Sequence, residues 1–185
     1  VIICSTLAER GAEATLEALE LGAVDIVTKP KMGTRAFFEE SRVQLCDMVR
    51  AASQVVPKPR PASAPVTRAR PTPAAGRPRP LRTTEKIIVL GASTGGTEAL
   101  RVVLEGLPRD APGIAVVQHM PAGFTKAFAE RLDGLLDLEV KEAEDGDTLL
   151  RGRVLIAPGD RHLLVRRNGA RYEAELREGP LVSRH

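Results

Sequence analysis

A segment rich in proline and arginine, residues 53–83, divides the chain and limits what it can fold into. It holds eight of the 14 prolines. Because proline removes a backbone donor and fixes φ, neither a helix nor a strand within a sheet can run through this segment. Such a composition is typical of a semi-rigid, extended linker. The 185 residues are therefore predicted to form two units, residues 1–52 and 84–185, joined by this linker.

The predicted linker also holds the excess positive charge of the chain. It carries seven lysines and arginines and no acidic residue, whereas the whole chain has a net charge of +3, so the remainder has a net charge of −4. A basic arm can bind nucleic acid or another acidic surface. Aromatic residues make up only 3% of the chain, however, and none stands between these arginines. We therefore favour a linker and expect no nucleic-acid partner.

The overall composition is typical of a soluble globular protein. Hydrophobic residues make up 43% of the chain and charged residues 28%. No apolar run approaches the roughly 20 residues of a membrane-spanning helix, and no cleavable signal is visible. The two cysteines, Cys4 and Cys46, lie in apolar stretches without metal-site or disulfide spacing. We expect buried free thiols, no metal site, no membrane insertion and a cytoplasmic location.

The first unit has the pattern of two strands that alternate with two helices. Apolar runs predict strands over residues 1–4 and 24–28, the first of them buried on both faces of a parallel sheet. Helical spacing predicts helices over about 9–21 and 35–52. A strand–helix–strand–helix order is typical of half of a doubly wound α/β sheet.

Polar residues follow both of these predicted strands, at the edge where open α/β sheets bind ligands. Ser5 and Thr6 follow the first strand, and Lys29 follows the second. They could bind a phosphoryl group together, or they could be a helix cap and a solvated lysine. The stretch from Ala18 to Pro30, Ala-Leu-Glu-Leu-Gly-Ala-Val-Asp-Ile-Val-Thr-Lys-Pro, resembles the end of a response-regulator receiver domain.

That resemblance implies roles for the polar residues at this edge. In receiver domains a serine or threonine and the lysine of the Lys-Pro pair contact an aspartyl phosphate, which here indicates Ser5 (or Thr6) and Lys29. The acidic residues that complete such a site lie upstream in the family. No acidic residue precedes Ser5, so we expect that the chain as given is not phosphorylated.

A strand, a glycine-rich turn and a helix open the second unit. The apolar run at 86–90 predicts a buried strand that leads into Gly-Ala-Ser-Thr-Gly-Gly at 91–96, and a helix is predicted over 97–107. This arrangement can hold Ser93 above a sheet as a nucleophile beside the amino end of a helix. It can also form a phosphate or dinucleotide cradle in which Ser93 and Thr94 bind rather than react. The absence of G-x-G-x-x-G and G-K-[ST] patterns counts against that alternative.

The next predicted strand, residues 113–118, ends at His119. If this strand and the strand at 86–90 are parallel neighbours, their carboxyl ends open onto the same edge. Ser93 and His119 would then face one crevice within hydrogen-bond reach. A serine paired with a histidine in this way is the nucleophile and base of acyl transfer.

The remainder of the second unit is predicted to be mostly strands. After a helix over about 123–132, strands are expected over residues 138–142, 153–157, 163–166 and 172–176. The last two are predicted to form a hairpin around Asn168-Gly169. Asp145 and Asp147 are interpreted as turn residues, and His162 as part of a surface turn.

Several segments in order resemble the chemotaxis receptor methylesterase (CheB) family. They are the receiver-like end, the proline-rich linker, Gly-Ala-Ser-Thr-Gly-Gly at 91–96, Gln-His-Met-Pro at 118–121 and Ala-Pro-Gly-Asp-Arg-His at 157–162. The resemblance implies the carboxyl-terminal part of a receiver-like doubly wound domain, a linker, and the amino-terminal part of a doubly wound α/β methylesterase domain. Ser93 would be the nucleophile and His119 the base, and the backbone at Thr94 and Gly95 would help to bind the oxyanion.

The resemblance also implies a substrate and partners. The expected reaction is hydrolysis of glutamyl methyl esters on chemoreceptors, with deamidation of receptor glutamines and no cofactor. A chemotaxis histidine kinase would act through the intact receiver domain. The family's third triad residue, an aspartate, lies in a segment with no counterpart here, and Asp160 belongs to a different motif. We therefore expect a chain truncated at both ends, with little activity. A phosphate-binding module and an adaptor that acts through the basic linker are the alternatives.

Overall fold

The computed structural model describes residues 1–5, 9–28, 42–55 and 86–180. Lys29, almost all of the predicted linker and the last five residues therefore lie outside the described residues. The observed fold is α/β, with a parallel sheet at its centre.

The described residues of the amino-terminal segment, residues 1–55, have the predicted order of strands and helices. They contain β1 (Ile2–Ser5), α1 (Glu9–Glu20), β2 (Asp25–Thr28) and α2 (Arg42–Gln54). Strands β1 and β2 pair in parallel, from Ile2 beside Asp25 to Ser5 beside Thr28. Helix α2 continues to Gln54, so the predicted boundary at residue 52 falls inside a helix.

Burial in the amino-terminal segment differs from the prediction. Strand β1 belongs to a two-stranded sheet and is not buried on both faces: Cys4 is exposed. Cys46 is exposed as well, because it lies on the face of α2 opposite the buried Met48. The prediction that both thiols are buried is therefore wrong. Leu21, just past the end of α1, is also 82% exposed.

In the part of the chain that the structure describes, the main sheet has four strands that all run in parallel. Its order is β3 (Ile87–Ala92), β4 (Gly113–Gln118), β6 (Arg153–Ile156) and β5 (Glu139–Glu142). Helix α3 (Gly96–Glu105) connects β3 to β4, and α4 (Phe124–Leu135) connects β4 to β5. The strands and helices predicted over residues 86–157 are confirmed, with boundaries that differ by a few residues.

The two faces of the main sheet are covered differently. Alternate residues of the strands, among them Ile114 and Ile156, form one core with α3, α4 and α1. Ala115 and Leu155 point to the other face and pack against a hairpin of β7 (His162–Asn168) and β8 (Arg171–Arg177). In the described part of the chain, helices therefore cover only one face of this sheet, and the predicted doubly wound arrangement is not observed there.

Strand β3 is an edge strand of the main sheet. The prediction that this strand is buried is wrong: its Val89 is 62% exposed, and Ile88 and Leu90 on the other face are only half-buried against the core. The hairpin turns at Asn168-Gly169 as predicted. Asp145 accepts a hydrogen bond from the Leu176 amide and Asp147 from the Glu144 amide, which agrees with their interpretation as turn residues.

Candidate active site

The register of β3 and β4 brings Ser93 and His119 to the same point of the sheet edge. Ala92 and Gln118 are the last paired residues of the two strands, and Ser93 and His119 are the next residue on each chain. The His119 amide donates to the Ala92 carbonyl at 3.0 Å, which continues the pairing by one residue. Parallel pairing of neighbouring strands is therefore what makes the two side chains adjacent.

Ser93 Oγ lies 3.4 Å from His119 Nδ1. This separation is within the range seen for a nucleophile and its base before substrate tightens the contact. A neutral imidazole with its proton on Nε2 leaves Nδ1 as an acceptor, so the Ser93 hydroxyl can donate to it. Ser93 is exposed to solvent and His119 is half-buried, so a substrate can reach the hydroxyl. The pair has the geometry needed to generate a serine nucleophile.

The turn after Ser93 leads directly into helix α3. Gly95 is the residue before the helix and has a φ of 74°, and the Gly96 amide donates to the Ser93 carbonyl at 2.6 Å. The amino end of α3 thus lies beside the serine, and helix amino ends favour negative charge. Gly95 lines the crevice around Ser93 and His119, whereas Thr94 precedes it in the turn and is not among the lining residues.

Gln118 and Asp25 are site residues that the sequence reasoning did not single out. Gln118 is 6% exposed, and its Nε2 donates to the carbonyl oxygens of Ser93 and His119. The sequence contains a signal for Gln118, because this polar residue ends an otherwise apolar strand and precedes the candidate base. No sequence signal could indicate Asp25, because it comes from the amino-terminal segment.

The amino-terminal segment forms one wall of the crevice. Leu19 of α1 and Val24, Asp25 and Ile26 around the start of β2 line it together with Ser93 and His119. Leu19 and Ile26 also belong to the core shared with α3 and α4. Access to the serine is therefore bounded by residues from both sides of the predicted linker.

The loop that follows His119 rests on the turn after β6. Any side chain at Gly159 would meet the backbone of this loop, with Cβ 2.6 Å from Ala122 Cα and 2.8 Å from the Pro121 carbonyl carbon. The Gly159 amide donates to Thr125 Oγ1 at 3.1 Å, and this buried hydroxyl donates to Glu142 at 2.5 Å. These contacts place the turn against the loop that follows the candidate base.

The remaining predicted polar residues are His162, Ser5 and Lys29. His162 opens β7, and its Nε2 is 3.1 Å from the Pro180 carbonyl, which agrees with a position outside the crevice. Ser5 ends β1 beside Thr28, and Lys29 follows just outside the described residues. Their predicted contact with a phosphate stays a prediction.

The described residues contain neither a candidate metal site nor a candidate membrane span. Among residues 1–5, 9–28, 42–55 and 86–180, no group of His, Cys, Asp and Glu side chains could hold a metal ion. In the same residues, no helix is long and apolar enough to span a membrane.

Known proteins match both the chain and its fold. The family model described as CheB methylesterase matches residues 88–185, which include Ser93 and His119. The chain belongs to the CheB methylesterase family. Within this family, proteins named protein-glutamate methylesterase/protein-glutamine glutaminase are 60% identical in Anaeromyxobacter dehalogenans and 56% identical in Geobacter metallireducens, over the whole chain. The chain spans 52% and 54% of the length of these two relatives.

A solved CheB structure also matches. The CheB methylesterase catalytic domain of Thermotoga maritima superposes with a TM-score of 0.52 and is 44% identical, over 55% of this chain and 54% of that chain. The parallel sheet that carries Ser93 and His119 is therefore similar to that of a CheB catalytic domain.

Proposed function

We propose that this chain is part of a protein-glutamate methylesterase and protein-glutamine deamidase that acts on chemoreceptors. The observation that carries the proposal is the 3.4 Å separation of Ser93 Oγ and His119 Nδ1 at the edge of a sheet of the CheB family. The names of the relatives supply the reacting groups, protein glutamates and glutamines, and the resemblance to the CheB family supplies the chemoreceptors.

In the proposed reaction, Ser93 attacks the ester carbonyl of a methylated glutamate. His119 accepts the hydroxyl proton at Nδ1 and returns it to the methoxy group, which leaves as methanol. Water, deprotonated by the same imidazole, then attacks the acyl-serine and releases the glutamate and Ser93. With a glutamine substrate the first leaving group is ammonia, and the second step is the same.

The negative charge of the tetrahedral intermediate needs donors close to Ser93. We assign this role to the backbone at Thr94 and Gly95, at the amino end of α3. Helix amino ends and preorganised backbone amides stabilise such charge, and the loss of one oxyanion donor costs roughly 100- to 1000-fold in kcat in other serine hydrolases.

Residues 1–52 are proposed to be the end of a receiver domain, joined to the catalytic part by a linker over 53–83. Ser5 and Lys29 would contact a phosphoryl group that a chemotaxis histidine kinase transfers to the intact domain in the cytoplasm. The wall that Leu19 and Asp25 form beside Ser93 supports inhibition by the unphosphorylated receiver. Phosphorylation would loosen this contact and open the crevice.

The test uses a full-length chimera, in which this chain replaces the matching segment of the Anaeromyxobacter dehalogenans relative. Methanol release is measured from receptor membranes carrying radioactive methyl esters. We expect turnover by the chimera and a loss of at least roughly 1000-fold with Ser93→Ala. Ser53→Ala, which removes an exposed hydroxyl on α2, is the matched control and should keep full turnover. Equal rates for the chimera and its Ser93→Ala variant would overturn the proposal.

A further inference from the structure

We propose that Gln118 is a positioning residue for this reaction, whose side-chain amide ties the Ser93 turn to the segment that carries His119. The inference rests on the proposed function, because it assigns Gln118 to the same site. It concerns a residue whose amide nitrogen bonds the backbone of the catalytic pair and not Ser93 Oγ or His119 Nδ1.

The two N–H groups of the Gln118 amide are directed at two carbonyl oxygens. Nε2 is 3.0 Å from the Ser93 oxygen and 3.2 Å from the His119 oxygen. The opposite orientation of the amide would place Oε1 against these two acceptors, so the nitrogen must face them. One buried side chain therefore holds the backbone of both candidate catalytic residues at once.

These bonds complete a set of backbone contacts around the pair. The Ser93 carbonyl also accepts from the Gly96 amide, and the His119 amide donates to the Ala92 carbonyl. Of the two bonds that the Ser93 carbonyl accepts among the described residues, the one from the Gln118 amide joins it to β4. Because the orientation of Ser93 sets the position of Oγ, a shift of the turn would lengthen the 3.4 Å approach to His119 Nδ1. A misplacement of about 1 Å can cost about 100-fold in rate.

The other end of the amide argues against a purely structural role. Gln118 Oε1 is buried and accepts no hydrogen bond from any residue that the structure describes. A buried acceptor without a partner destabilises the fold, and an apolar side chain of the same shape would remove that cost. Buried polar groups that are left without a partner in this way are typical of functional sites. We therefore expect that removing the amide harms catalysis more than stability.

The experiment compares Gln118→Met with Val154→Ala in the full-length chimera. Methionine keeps most of the volume of glutamine and removes both donors. Val154 is fully buried at the other end of the sheet, beside Ile114, and its truncation is the control for lost stability. For Gln118→Met we expect kcat to fall about 10- to 100-fold with KM within about twofold, because the lost contact orients the nucleophile. Val154→Ala should lower the Tm at least as much and keep kcat within about twofold.

A second readout does not depend on activity. In NMR spectra of the 185-residue chain, the side-chain amide protons of Gln118 should exchange with solvent at least about tenfold more slowly than those of the exposed Gln54. Unprotected Gln118 protons, or a Gln118→Met chimera with unchanged kcat, would overturn the inference while the proposed function stands. A chimera no more active than its Ser93→Ala variant would instead overturn the proposed function, and the proton exchange would still test the geometry.

Discussion

Gly96→Ala tests how tightly the start of helix α3 packs against Gln118. A Cβ at this position would overlap Gln118 Oε1 and lie 3.0 Å from Gln118 Cδ and 2.7 Å from Ala92 Cβ. Carbon atoms in van der Waals contact are about 3.5–4.0 Å apart, so the amide must move by about 1 Å. Its bonds to the Ser93 and His119 carbonyls, at 3.0 and 3.2 Å, would then exceed hydrogen-bond length.

The expected cost follows from these two effects. Two lost hydrogen bonds contribute about 0.5–1.5 kcal/mol each, and overpacking of a buried site contributes about 1–3 kcal/mol. Gly96→Ala should therefore lower the free energy of unfolding by about 2–6 kcal/mol, a large part of the roughly 5–15 kcal/mol that stabilises a typical domain. Gly134→Ala is the matched control: the glycine lies in α4, where an added Cβ meets nothing within 4 Å. We expect the stability of that variant to remain within about 1 kcal/mol of wild type.

The assay is chemical denaturation of the 185-residue chain, followed by circular dichroism. In a Gln118→Ala background the main obstacle to the new methyl group is absent, so Gly96→Ala should cost at least about 1 kcal/mol less than it does alone. Equal costs in the two backgrounds, or a Gly96→Ala variant as stable as Gly134→Ala, would refute the packing described here.

Three further predictions concern regulation, pH and the thiols. Leu19→Asp should raise the rate of methanol release by the unphosphorylated chimera at least about threefold, because it weakens the wall of the crevice. Leu21→Asp, at an 82% exposed position, should leave the rate unchanged. A Leu19→Asp rate equal to that of wild type would contradict the proposed inhibition. Hydrogen bonds to Glu144 and Asp147 raise the pKa of Lys141 above its ordinary 10.5. These bonds therefore stabilise the folded chain below pH 10.5, and this stabilisation is lost as the pH rises through the raised pKa. The free energy of unfolding of wild type, measured by denaturation at a series of pH values, should therefore fall relative to that of Lys141→Met above pH 10.5. A difference between the two proteins that does not change with pH would contradict this. Cys4 and Cys46 are exposed, so both thiols should react with Ellman's reagent in the native chain as fast as in urea, and a reaction that needs denaturant would show that they are buried.

The elements of the fold were predictable because apolar runs and helical spacing are local signals. The strand at 113–118 and the hairpin at Asn168-Gly169 were found in this way. The adjacency of Ser93 and His119 was also predictable, since each follows a strand and consecutive strands joined by one helix are usually parallel neighbours.

Burial and coverage were not predictable from the same signals. Strand β3 is at the edge of the sheet, and a hairpin rather than a helix covers the second face. Both facts depend on strand order, which no run of residues encodes by itself. The exposure of Cys4 and Cys46 has the same origin, because an apolar run does not say what packs against it. Asp25 reaches the crevice only through contact between segments far apart in the chain.

Covalent labelling tests the central claim, that His119 makes Ser93 a nucleophile, most directly. The full-length chimera is treated with phenylmethylsulfonyl fluoride, and the modified peptide is identified and timed by mass spectrometry. We predict a single sulfonyl adduct on Ser93, formed at least about 100-fold more slowly in a His119→Ala variant. An adduct on another residue, or an unchanged labelling rate of Ser93 without the imidazole, would contradict the account.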